Sequence, residues 1–335
     1  GSPLDDLSGL KNLSSIGSLN FYHSEIKSFG GMANLETINL TFKISFCDNI
    51  KDFKGLENLK SIGNGDERNG LQIDVNDQLK NFNGLQGLTT VKGSFNLGSN
   101  RSLLNMDGLE NLMTIEHTLH LEYHESLINL DAIRNISSLR GFALEANNRL
   151  EKLPVFNNLT TLNHIYFGRG GVIDNLQGFN NLTNVGSISL EAVNVSSLNG
   201  LENLKTIERV LWIQNCPNII DLQGLGNLTT VGDGQSNRGI RINYNENFKS
   251  LNGLNSISQV DGDIALQENP ALISLKGLET LTVLKKDIQI FENKKLSDFC
   301  ALTSMLNTNS FNGIYNVDKN LKNPTIQDLK NGNCN

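Results

Sequence analysis

One phrase, G-L-x-N-L-x-x-I, returns along the whole chain and restricts it to an architecture that repeats. It runs from Gly9-Leu10 to Ile16, Gly55-Leu56 to Ile62, Gly108-Leu109 to Ile115, Gly200-Leu201 to Ile207 and Gly224-Leu225 to Val231. Anchored on the residue after that glycine, the series passes from Leu10 to Leu302 in twelve steps of 22 to 29 residues. A second phrase, L-x-I-x-x-N-x-x-L-x-x-L, fills each interval, as in Ile264, Leu266, Asn269, Leu272 and Leu275. Apolar alternation over its first three residues predicts a short strand with two side chains turned inward. The asparagine suits a tight inward turn, where its amide satisfies buried backbone groups. One repeat cannot bury its own apolar face, whereas stacked repeats pair in a parallel sheet and merge their leucines into one core. The expected fold is therefore all-β, a right-handed parallel β-solenoid of about twelve coils.

The steps carry a longer period. The run 22, 24, 29, 24, 24 starts at Leu10 and starts again at Phe179, 169 residues later. Both long steps come from similar insertions, 64–70 and 233–239, and Cys47 and Cys216 are also 169 residues apart. A block of about five coils has been duplicated, giving copies over about 10–133 and 179–302 with joining coils around 133–178. Nothing rich in proline or serine separates them, so a continuous solenoid over 1–306 and a cap over 307–335 are expected. In and before the cap, Ala301–Leu306 reads as a helical turn and Gly313–Val317 as a strand. Asn323-Pro324 is expected to open a helix near Thr325–Lys330, with proline at its first position.

A net charge of −7 gives no basic footprint, which disfavours nucleic-acid partners. No apolar run reaches the ~18–20 residues that span a bilayer, so this segment is not expected to insert in a membrane. Gly1-Ser2 reads as an expression scar, and a leader or anchor is expected to have preceded it.

The alternation of G-L-x-N-L-x-x-I with L-x-I-x-x-N over about residues 7–306 resembles the receptor L-domain family. That family is the leucine-rich-repeat-like solenoid of the insulin and epidermal growth factor receptor ectodomains. The chain resembles more closely the secreted L-domain-like proteins predicted in Bacteroidetes, including in its Phe299-Cys300-Ala301-Leu302 ending and its closing Asn331-Gly332-Asn333-Cys334. It lacks the dense disulfides and Cys-rich modules of the receptors. The resemblance implies extracellular recognition, a secreted or cell-surface location and, in a bacterium, attachment to the outer membrane.

The four cysteines are of two kinds. Cys47 and Cys216 fall at the asparagine position of their repeats, alongside Asn76, Asn100, Asn147, Asn245, Asn269 and Asn293, and read as structural rungs of one ladder. Cys300 and Cys334 flank the non-repetitive tail and are expected to bridge it over the end of the core, which favours an oxidising compartment. Triplets such as Asn227-Leu228-Thr229 match a glycan acceptor but also fall straight out of the repeat consensus. No metal or cofactor is expected. Asp66-Glu67 and Asp261-Gly262-Asp263 do not match a calcium loop. His117, His120 and His124 diverge, since His124 takes the inward rung position while His120 points out.

The chain is not expected to be an enzyme, because hydrolase, P-loop and dinucleotide motifs are absent. A polysaccharide-degrading solenoid would need paired acids on neighbouring coils, for which Glu122, Glu145 and Glu191 are the candidates. Binding is expected on the sheet face that packing leaves free. There the single tryptophan, Trp212, points outward, with Arg241 beside it, Tyr166 within two coils, Glu145 and Glu191 in the adjoining column, and His120 and Glu122 beyond. Aromatic rings stack on sugars and equally anchor protein partners, so an extracellular protein or glycan is the expected ligand. A purely structural spacer, with Trp212 packed against its neighbours, is the other alternative.

Overall fold

The computed structural model describes residues 7–235, 238–308 and 311–335; Gly1-Ser2 and part of the 233–239 insertion lie outside them. The chain is a parallel β-solenoid of about twelve turns with few helices. It divides into two compact units, Gly1–Leu159 with Gly170–Val172, and Thr160–Arg169 with Ile173–Asn335. The division falls inside the joining coils between the duplicated blocks.

In the first unit the L-x-I phrases form the strands Thr41–Ser45, Gly70–Asp74 and Ser94–Gly98. They stack in parallel with their apolar residues in register, Ile44 against Ile73 and Ile73 against Leu97. The end of the G-L-x-N-L-x-x-I phrase forms a second, two-residue strand in most coils, such as Ser61–Ile62 and Thr90–Val91. In Thr114–Glu122, and in Thr206–Gln214 of the second unit, the two strands run together into nine residues. Phe29, Phe53 and Phe82 stack face to face inside, with centroids 5.8 and 5.4 Å apart.

Two features of the repeat explain its consensus. In the coil at 108 the glycine meets two demands: φ is +104°, and a Cβ there would run into the Phe82 carbonyl of the previous coil, whereas Ala132, Val155 and Ala301 take the same position in other coils. The asparagine of the second phrase is a ladder rung. Asn76 Oδ1 accepts the Cys47 N–H at 2.9 Å, Asn100 Oδ1 accepts the Asn76 N–H at 3.0 Å, and Asn147 Oδ1 accepts the His124 N–H at 3.3 Å. In the second unit Asn245, Asn269 and Asn293 do the same in turn, at 2.8, 3.1 and 3.0 Å. Each amide also donates to the carbonyl two residues back, as Asn76 does to Asp74 at 3.0 Å. That bond spans a residue held in the left-handed region, Val75 at φ 53°, and one such residue precedes every rung. Cys47 and Cys216 occupy rungs as expected, each thiol set 3.4 Å from the carbonyl oxygen two residues back.

The consensus N-L asparagines form a second ladder on the outside. Asn111 donates to Gln86 O, Asn135 to Glu110 O and Asn227 to Glu202 O, at 2.7 to 2.8 Å. Asn135 and Asn227 both begin glycan-acceptor triplets, and the repeat itself accounts for them.

The C-terminal end is closed by the disulfide Cys300–Cys334. The strand expected at 313–317 lies at Tyr315–Asp318 and pairs with Ile288–Phe291. Asn320 accepts the Asn293 N–H at 3.0 Å, so the cap contributes one more rung than the repeat consensus shows. Pro324 does not take the first helical position. Thr325 caps the helix Ile326–Lys330 through a capping box with Asp328, because its hydroxyl can accept an N–H that proline cannot.

Candidate functional site

Trp212 sits on the strand Thr206–Gln214, where Leu211 and Ile213 turn into the core and Trp212 and Gln214 turn out. Its register partners are Ser189 on one side and Arg241 on the other. The indole is half-buried along its own strand, and Nε1 donates to Gln214 Oε1 at 3.1 Å. It floors an open groove of about 600 Å³ whose other walls are Ser187, Ser189, Val210, Gln214, Arg238, Arg241 and Asn243. The small serines of the neighbouring strand leave this space beside the ring.

The two arginines reach the groove by different routes. Arg241 comes from the strand Ile240–Asn243 and is held by Asp263, whose carboxylate accepts from Nη2 at 3.1 Å and whose side chain is 2% exposed. Asp261, two residues earlier, pairs with Lys285 at 2.9 Å, so the Asp-Gly-Asp segment serves to hold cations of the chain itself. Arg238 comes from the 233–239 insertion. A third guanidinium, Arg209, lies at a bulge, since Val185 pairs with Ile207 but Ser187 pairs with Val210. It donates to Ser187 Oγ at 3.1 Å and to the Asn163 carbonyl at 2.6 Å, in space that a Cβ on Gly186 would fill.

Of the seven residues predicted from sequence, Trp212 and Arg241 line this groove. Tyr166 pairs with Ser189 on the same face, and its ring lies back over Gly168. Glu191 is half-buried between Gly168 and Gln214. His120, Glu122 and Glu145 belong to the first unit and stand together there, their ligand-type atoms within 4.8 Å of one another. Sequence reasoning missed Arg209 and did not place Arg238 or Asp263 beside Trp212. The available signal for Arg238 was its position directly before the strand that carries Arg241.

The remaining titratable groups have structural surroundings. His117 Nε2 lies 3.0 Å from the Gly65 carbonyl oxygen. His124 is fully buried at its rung, and burial pushes its pKa down to about 4. Burial pushes the Cys216 thiol up to about 11 and also raises that of Cys47, which keeps both as thiols rather than nucleophilic thiolates. Asp66, in the first insertion, is bound by Arg68 at 2.6 Å. The chain matches no family model and no curated protein sequence.

Proposed function

We propose that this chain is a non-enzymatic recognition module, secreted or displayed at a cell surface, that binds a glycan on the sheet face around Trp212. The observation that carries this reading is the 600 Å³ groove floored by the single tryptophan and walled by hydroxyl, amide and guanidinium groups. A flat indole stacks on the apolar face of a sugar ring, while serine hydroxyls and the Gln214 and Asn243 amides suit its hydroxyls. Arg238 and Arg241 favour a sugar bearing a carboxylate or sulfate, because a guanidinium binds such groups through paired, charge-assisted hydrogen bonds. The Cys300–Cys334 bridge supports an oxidising compartment. The repeat phrases that resemble receptor L-domains support extracellular recognition in the same way.

Trp212 gives the test a signal of single origin. Uronate-containing and sulfated oligosaccharides are expected to shift its emission saturably, and Arg238→Gln to weaken that binding about tenfold. Emission that ignores every acidic oligosaccharide but responds to an extracellular protein would replace the glycan with a protein partner. Reducing ends that accumulate with time would instead mark a polysaccharide-degrading enzyme, and silence towards all probes a structural spacer.

A further inference from the structure

The first unit carries a second constellation, independent of the groove around Trp212. On the strand Thr114–Glu122, His120 and Glu122 are two residues apart and share the outward face. The next strand, Ser138–Glu145, sets Ala143 opposite His120 and Glu145 opposite Glu122. Two carboxylates and an imidazole therefore converge, and the residue opposite the ring, Ala143, is small.

The contact between them is not a finished hydrogen bond. His120 Nε2 lies 3.4 Å from Glu145 Oε1, yet it is sealed from solvent and has no hydrogen-bond partner among the described residues. A buried ring nitrogen left in that state costs free energy unless something else meets its lone pair or its proton. The opposite flank is cleared too. Gly98 pairs with Glu122, and a Cβ at Gly98 would lie 3.2 Å from Glu122 Oε1 and 3.0 Å from Asp74 Oδ1. Asp74 leans towards the same place. Carboxylates gathered in a half-buried recess are what a cation would relieve.

We propose that His120, Glu122 and Glu145 bind a divalent transition-metal ion of the Zn²⁺ class. Three arguments select that class. An imidazole nitrogen with carboxylate oxygens suits zinc and its neighbours, whereas calcium and magnesium prefer all-oxygen sites. Ligands ~2.1 Å from a tetrahedral ion stand roughly 3.4 Å from one another, the separation already present between His120 and Glu145. The remaining atoms lie within 4.8 Å of one another, a gap left for side-chain rotation to close. Three protein donors leave a coordination position for water or for an anionic group of a ligand. The site differs from a three-histidine arrangement, since His117 faces the Gly65 carbonyl and His124 is buried in the ladder.

The test uses the full chain after treatment with a chelator. Zn²⁺ followed by calorimetry is expected to bind saturably at one equivalent, and Co²⁺ to give the visible absorption of a low-coordinate site. His120→Ala and Glu145→Gln are each expected to weaken Zn²⁺ by at least about tenfold and to abolish the Co²⁺ bands. His117→Ala should bind as the parent does, and an equal concentration of Ca²⁺ should not compete. Far-UV circular dichroism checks that each variant is folded, and Glu145→Gln decides the matter if His120→Ala is not. No saturable Zn²⁺ binding overturns the proposal. Binding that persists in both variants, or that Ca²⁺ displaces equally, overturns it as well.

Discussion

A rung of the inner ladder must accept a backbone N–H from the coil before it, and at position 124 a histidine does what asparagine does elsewhere. His124 Nδ1 accepts the Asn100 N–H at 3.2 Å, which requires the ring to be neutral. Its pKa, held at about 4 by burial, lies below the ordinary value of about 6.5, so the unfolded chain binds the proton more tightly. This contribution is complete above about pH 6.5 and is lost as pH falls to about 4, amounting to about 3 kcal/mol. His124→Asn should remove it. Urea unfolding from pH 7 to pH 4 is expected to show the parent losing about 3 kcal/mol relative to the variant, and parallel profiles would refute this. The rungs themselves were legible because each recurs at a fixed distance after the apolar alternation. The left-handed residue before each rung was not. Phe46, Val75, Tyr123 and Ala146 share no side-chain property and precede Cys, Asn, His and Asn in turn, so the turn of the coil and not the residue imposes the conformation.

At the scale of elements, the cap shows what periodicity cannot deliver. The strand Tyr315–Asp318 takes its register from Ile288–Phe291, and the last helix takes its start from the Thr325–Asp328 capping box. Both boundaries depend on partners distant in sequence or on a side-chain bond, so the expected limits were displaced by one or two residues. The disulfide was legible because two cysteines bracket the only stretch without the repeat. It ties residues 34 apart, and beside it the Phe299 N–H donates to the Cys334 carbonyl at 2.8 Å. Cys334→Ser is expected to cost about 3–4 kcal/mol, the loop-closure entropy of a chain that long. Hydrogen exchange should then accelerate first in Tyr315–Asp318 and Ile326–Lys330. Unchanged protection there would mean that strand pairing and the buried Leu329 hold the cap without the bridge.

For the whole molecule, the leucine period made the solenoid legible because a coil's apolar face can be buried only by another coil. The groove was half legible for the same reason. Alternation turns Trp212 and Arg241 outward, and stacking brings them side by side although 29 residues separate them. Arg209 escaped notice and Arg238 was not placed beside Trp212, because a bulge and an insertion position them and neither obeys the period. The same one-dimensional logic predicts how the molecule unfolds. Each unit has its own stacked strands and its own run of rungs, so damage to one ladder should remain in its unit. Asn269→Ala removes the acceptor for the Asn245 N–H and the donor to the Ile242 carbonyl, leaving buried polar groups unpaired at a cost of about 3–4 kcal/mol. Exchange measured by mass spectrometry is expected to speed up across the coils around Ile240–Phe291 while Thr41–Glu122 keeps its protection. Thermal unfolding should split into two transitions, only the lower of which moves. A single transition displaced as a whole, with protection lost evenly from both units, would show instead that the duplicated blocks fold as one cooperative body.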